Sequence, residues 1–263
     1  MKATLGGGEL SYDVRGSGPP VLFLHAFPLG MAMWEPQVRA LAEQHRVVRF
    51  DARGFGGSPP GDGLLSMERI AEDAVGLLDH LGLSQAAVCG LSMGGYAAFA
   101  LWRRHPERVR ALVLADTRAG ADSDVAKKGR ADLADKVRRQ GPEAAAEAFL
   151  PKLLGETTRR ERPEMVARVR EMILANPARG ICDALAGLAA RADSTGVLRE
   201  ILVPTLFVVG EEDAVSPPAE METMHQQVAR SRFVTLPRVG HLSNLEDPRG
   251  FNAALAQFLS PRT

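Results

Sequence analysis

The 263-residue chain contains only two cysteines, Cys89 and Cys182, far apart in sequence. That count fits a reducing compartment and excludes a disulfide-stapled secreted scaffold. Lys plus Arg and Asp plus Glu total 32 each, so no excess of either sign draws the chain to nucleic acid or to an anionic membrane. Aromatic residues make up 5% of the sequence, too few for base-stacking platforms. No apolar run is long enough to span a bilayer, and the opening residues Met1 to Gly8 contain no signal-peptide core. The expected location is therefore cytoplasmic. A composition 45% hydrophobic and 24% charged belongs to a globular protein with a substantial core.

Short apolar runs alternate with helical patterns over the first 116 residues. Val21–Leu24, Val47–Phe50, Ala86–Cys89 and Ala111–Leu114 read as buried strands, and Met67–Leu81 and Gly94–His105 as helices. This alternation implies βαβ units and a mostly parallel sheet covered on both faces. From Arg118 to Arg199 the periodicity is helical throughout, with breaks expected at Gly141-Pro142, Pro151, Pro163 and Asn176-Pro177. Strand Thr205–Val209, a helix near Ala219–Ala229, strand Phe233–Leu236 and a helix from Pro248 to Leu259 follow. The expected organisation is an α/β core over 1–117 and 201–263, interrupted by a helical cap over 118–200.

Gly90-Leu91-Ser92-Met93-Gly94 fits G-x-S-x-G between an expected strand and an expected helix, the context in which that motif presents a nucleophile. A serine hydroxyl needs a base and an orienting acid, in the chain order Ser, acid, His. Glu211, Glu212 and Asp213 lie just past strand Thr205–Val209, at the end of the sheet where such folds place their sites. Asp213 is the first choice and Glu212 the alternative. His241 follows strand Phe233–Leu236 in the same manner and is the candidate base. His45, His80, His105 and His225 lack a second His or Cys at metal-ligand spacing, so no metal site is expected, and Cys89 reads as an inert core thiol. For the oxyanion of a tetrahedral intermediate, the backbone N–H groups of Met93 and Phe27 are the candidates. His25 is assigned to bracing the Phe27 loop.

These residues resemble the α/β-hydrolase superfamily over essentially the whole chain. His25-Ala26-Phe27-Pro28 is similar to its HGFP loop, with Ala26 where Gly is usual. Asp51-Ala52-Arg53-Gly54-Phe55-Gly56-Gly57-Ser58 resembles its structural D-x-R-G-x-G-x-S turn. A serine at position 92 points away from the haloalkane dehalogenases, which carry Asp there. The resemblance is nearest to small capped esterases, 3-oxoadipate enol-lactonases and cofactor-free haloperoxidases or perhydrolases. It implies cleavage of a small-molecule ester or lactone through an acyl-serine, without cofactor, and raises Asp116 as a second possible triad acid.

The leading expectation is an ester hydrolase for small to medium acyl groups. A lactonase or perhydrolase using the same triad is the second reading, and a non-catalytic ligand-binding member the third. Trp34, Tyr96 and Phe149 are the candidate pocket residues. The cap is rich in Ala, Leu and Met, which suggests an aliphatic wall. Its many basic residues, among them Arg118, Arg130, Arg159, Arg160, Arg179 and Arg191, read mostly as a solvated face.

Overall fold

In a computed structural model of the chain, describing residues 1–260, eight strands form one sheet in the order β1-β2-β4-β3-β5-β6-β7-β8. Positions 261–263, the end of the expected second core segment, lie outside the described residues. An N-terminal pair, β1 (Lys2–Leu5) and β2 (Gly8–Arg15), runs antiparallel to its neighbours. The pair was not anticipated because its apolar residues are interrupted by Lys2, Glu9, Asp13 and Arg15 at the sheet's edge. From β4 to β8 every pairing is parallel.

The central strands are β3 (Pro20–Leu24), β4 (Arg46–Phe50), β5 (Ala86–Leu91), β6 (Val109–Ala115), β7 (Thr205–Gly210) and the edge strand β8 (Ser231–Leu236). All six positions of β5 and of β7 are buried, the burial on both faces that a doubly covered parallel sheet demands. Helices α1 (Glu35–Leu41), α2 (Met67–His80) and α3 (Met93–Arg104) cover the first half. Ser66 caps α2 by accepting from the Arg69 N–H at 3.0 Å.

Between β6 and β7 the chain makes five helices without a strand: α4 (Asp124–Gln140), α5 (Glu143–Leu153), α6 (Glu156–Glu161), α7 (Pro163–Leu174) and α8 (Ala178–Ala190). Three of the four expected breaks fall between these helices. Pro151 instead sits inside the last turn of α5, where it removes the one helical bond to the Glu147 carbonyl before the helix ends at Leu153. The cap buries its own apolar residues, with α4 packed on α8 and α5 on α7. Helices α9 (Pro218–His225), α10 (Ser243–Glu246) and α11 (Pro248–Leu259) complete the core. The expected helix over 219–229 is shorter than its pattern, ending at His225. Among the described residues no helix is long and apolar enough to cross a membrane.

Candidate active site

Three loops beyond the C-terminal ends of parallel strands converge on Ser92. The residue links β5 directly to α3 with φ 54° and ψ −112°, a left-handed backbone that a serine adopts only when its surroundings impose it. Those surroundings are glycines that let the helix approach the sheet. A Cβ on Gly90 would lie 2.2 Å from the Gly94 carbonyl oxygen, and one on Gly94 would lie 2.0 Å from that of Leu24. Substitution at either would push α3 off the strands and lose the turn.

Ser92 Oγ lies 2.8 Å from His241 Nε2, and His241 Nδ1 lies 2.8 Å from Asp213 Oδ2. Both His241 and Asp213 are buried. The remaining oxygen of Asp213, Oδ1, accepts from the backbone N–H groups of Val215 at 2.7 Å and Ser216 at 2.9 Å. The carboxylate thus has one oxygen committed to its own loop and the other to the imidazole. The three residues form a hydrogen-bonded chain in which Nε2 can accept from the serine hydroxyl.

The two alternative acids point elsewhere. Glu212 accepts from the Thr157 N–H at 2.8 Å and the Thr157 hydroxyl at 2.5 Å, tying α6 to the core. Asp116, fully buried with φ 44°, accepts from the Gly210 N–H at 2.9 Å and from the Ser243 hydroxyl. Burial and the neighbouring Asp213 push its carboxyl well above the usual range.

Sequence reasoning missed Glu246. Its buried carboxylate accepts from the N–H groups on either side of His241, Gly240 at 3.0 Å and Leu242 at 3.3 Å, and from Gly155 of the cap at 2.9 Å. No motif marks it; only the short helix α10 brings it back under the His241 loop.

Phe27 and Met93 are both buried, and neither backbone N–H donates to another group among the described residues. Met93 opens the 12-residue helix α3, so its N–H sits at the positive end of that helix. The Phe27 loop is braced as expected. His25 Nδ1–H donates to the Ala26 carbonyl at 3.0 Å, and its Nε2 accepts from the Ala52 N–H at 2.9 Å. Burial holds the His25 pKa below its usual value, which keeps the ring neutral for both bonds. Ala26 is accommodated in the core, its N–H directed at Met33 Sδ. The Asp51 turn is structural: Asp51 accepts from the Met31 and Gly57 N–H groups, and Arg53 grips Asp73 with two hydrogen bonds.

A cavity of about 640 Å³ lies between the cap and the loop after β7. Tyr96, one turn along α3 from Ser92, forms one wall, and Ala214 and Val215, directly after Asp213, form another. Phe149 of the cap closes a third side, its ring 5.2 Å from that of Phe27. Two of the three expected pocket residues thus line this cavity. Trp34 does not. It is fully buried with its ring 4.7 Å from Phe23 and 6.1 Å from Phe251, so it is a core residue. Burial pushes the Cys89 thiol up, in keeping with an inert side chain, and no group of three metal-ligating side chains occurs among the described residues.

A sequence model of the alpha/beta hydrolase fold family matches residues 19–248. The chain belongs to this family. It is 30% identical over 256 residues to 3-oxoadipate enol-lactonase 2 of Acinetobacter baylyi, covering 94% of this chain and 91% of that protein. It is similar to a thermophilic esterase from Thermogutta terrifontis solved with malate bound, at 42% identity and a TM-score of 0.95 over 98% of this chain and 97% of the other. An enol-lactonase from Burkholderia xenovorans superimposes with a TM-score of 0.92 at 31% identity, over 99% and 100% of the two chains.

Proposed function

We propose that the protein is a serine hydrolase that cleaves carboxylic esters of small to medium acyl groups, with Ser92, His241 and Asp213 as its triad. The observation that carries this reading is the hydrogen-bonded chain from Ser92 Oγ through both nitrogens of His241 to Asp213, built on a serine held at positive φ.

Ser92 Oγ attacks the ester carbonyl carbon while His241 Nε2 takes the hydroxyl proton. Asp213 faces Nδ1–H, fixing the tautomer and stabilising the imidazolium. The oxyanion is held by the Phe27 and Met93 N–H groups, each without a competing acceptor. Collapse breaks the C–O bond, and His241 returns the proton to the departing alkoxide. Water, deprotonated by the same nitrogen, then attacks the acyl-serine and releases the acid. Among the pocket candidates, Tyr96 and Phe149 form the substrate wall. The same steps open a lactone, in which the alcohol stays attached to the acid; the two enol-lactonases among the relatives favour this second reading.

The test is hydrolysis of p-nitrophenyl esters of increasing acyl length with Ser92→Ala in parallel. The variant is expected to lose on the order of 10⁴-fold or more in kcat/KM, with an unchanged melting profile. A Ser92→Ala protein that keeps its activity, or a wild type that no fluorophosphonate labels at Ser92, would overturn the reading.

A further inference from the structure

The loop that carries His241, residues 239–242, is pressed between the end of β7 and the cap. On the core side a Cβ on Gly210 would lie 2.1 Å from the Gly240 carbonyl oxygen, and the Glu212 N–H donates to the Val239 carbonyl at 2.8 Å. On the cap side a Cβ on Gly240 would lie 2.2 Å from the Gly155 backbone nitrogen, and the Leu242 N–H donates to the Leu153 carbonyl at 3.0 Å. The backbone beneath the base thus touches the junction of α5 and α6 as closely as it touches the sheet.

Glu246, 3% exposed, fastens the two sides. Its Oε1 accepts from the Gly240 N–H at 3.0 Å and the Leu242 N–H at 3.3 Å, and its Oε2 from the Gly155 N–H at 2.9 Å. Its own carbonyl accepts from Nη1 of Arg162, between α6 and α7, at 2.6 Å. Burial raises the Glu246 carboxyl and these donors oppose the rise. Because donors face both oxygens, the carboxylate is the form that fits them. Leaving any of the three N–H groups unmet in this buried place is costly, so the loop and the cap segment hold each other in one register.

We propose that Glu246 is a positioning residue for the general base, and that through it cap segment 153–155 sets the place of His241. The proposal rests on the serine-hydrolase reading above, in which His241 Nε2 takes the Ser92 proton. Both imidazole nitrogens lie 2.8 Å from their partners, and a displacement of about 1 Å costs a reaction on the order of a hundredfold.

The experiment measures kcat, KM and melting temperature for Glu246→Ala, Glu246→Gln and Gly155→Ala. Glu246→Ala is expected to lower kcat by about a hundredfold with KM nearly unmoved. Glu246→Gln should recover about tenfold of that loss, because its one acceptor oxygen can still take the Gly240 and Leu242 N–H groups. Gly155→Ala strikes the same contact from the cap, since its Cβ would lie 2.8 Å from the Gly240 nitrogen, and should also lower kcat. Should Glu246→Ala fail to fold, the other two decide. Gly187→Ala, which strains the cap against Leu65 instead, should keep the wild-type kcat. The proton resonance of His241 Nδ1–H gives a readout independent of turnover. It is expected to shift or broaden in Glu246→Gln and Gly155→Ala and to hold in Gly187→Ala. If the wild type cleaves no ester, the hydrolase reading falls and this resonance alone decides the positioning role. Melting temperatures that drop while kcat and the resonance hold would reduce Glu246 to a structural tie and overturn the proposal. So would a rise in KM alone, or an equal loss of kcat in Gly187→Ala.

Discussion

The parallel core and the helical cap are joined to their surroundings by different chemistry. Within the core, β5 and β7 are buried at every position and stacked in continuous register with β6. Where the cap meets the core, the Phe149–Phe27 ring contact is joined by close glycine approaches and single polar side chains. A Cβ on Gly180 of α8 would lie 1.8 Å from the Gly54 carbonyl oxygen, and one on Gly187, two turns on, would lie 1.8 Å from that of Leu65. Asn176, Glu212 and Glu246 supply the polar ties. Many interchangeable apolar contacts hold the core, whereas a few specific ones seat the cap. The core strands thus carry Ser92, Asp213 and His241, while the cap's position, and with it the cavity, hangs on individual residues.

The largest expected effect lies in the core and separates its two buried acids. In Asp213→Asn the amide oxygen must keep accepting from the Val215 and Ser216 N–H groups, so the NH₂ faces His241 Nδ1. The ring then carries its proton on Nε2 and cannot accept from Ser92. Loss on the order of 10⁴-fold in kcat is expected, as for the same change in other triads. In Asp116→Asn the oxygen keeps the Gly210 N–H and the NH₂ donates to a reoriented Ser243 hydroxyl, so kcat should stay within about tenfold of wild type. The reverse ranking would assign the triad acid to Asp116. This second variant also has a pH signature. A raised folded-state pKa means the native chain binds more protons than the unfolded one, so Asp116 erodes wild-type stability as pH climbs above the ordinary Asp value of 3.8. Asp116→Asn lacks that slope, and its melting temperature relative to wild type should rise with pH across this window.

Next in size is the seam beneath the cap. Gly180→Ala meets the Gly54 backbone, and overpacking of this kind costs about 1–3 kcal/mol, or several degrees of melting temperature at about 2–4 °C per kcal/mol for a chain near this size. Gly129 of α4 has nothing within 4 Å of its would-be Cβ. Gly129→Ala should instead stabilise by up to about 1 kcal/mol through helix propensity. Equal melting temperatures for Gly180→Ala and wild type, read by calorimetry, would mean that the cap rides loosely on the core.

The core was legible in the sequence because its signals are local. A G-x-S-x-G turn between an apolar strand and an amphipathic helix, and loops carrying Asp213 and His241 just past strand ends, are read from consecutive residues. The N-terminal hairpin escaped because an edge strand need not be apolar. Trp34 was misplaced for the opposite reason: a large aromatic residue near a loop has no sequence mark that distinguishes a pocket wall from a core position between Phe23 and Phe251. The charged cavity was hidden because its parts are far apart in sequence, Arg118 and the Val215 it touches being 97 positions apart, and come together only through tertiary packing. Of the six cap arginines picked out as a solvated face, Arg118, Arg130 and Arg191 converge on the cavity. Arg160 pairs with Glu161 at the surface, and Arg179 reaches Gly61. Helical periodicity shows which face of a helix is apolar; it carries no information on which cations a neighbouring helix will gather.

The smallest effect asks whether the cap merely covers the site or also props it. Asn176, between α7 and α8, donates to the Pro28 carbonyl at 2.9 Å and to Met172 O at 2.9 Å, while its Oδ1 accepts from the Gly56 N–H at 2.9 Å. One cap side chain thus holds both the loop that presents the Phe27 N–H and the Asp51 turn. Asn176 has no hydrogen bond to any triad residue, so a covering role predicts a change in KM alone. A propping role predicts a fall in kcat, since a displaced Phe27 N–H weakens contact with charge that develops only in the transition state. For Asn176→Ala the expected fall in kcat is about tenfold, near 1.4 kcal/mol, the scale of one lost buried hydrogen bond, with KM nearly unmoved. Asn176→Asp should do no better, because a carboxylate cannot donate to the Pro28 carbonyl. If KM rises in both variants and kcat holds, the oxyanion loop is fixed by His25 and the core alone, and the division of labour between core and cap is complete.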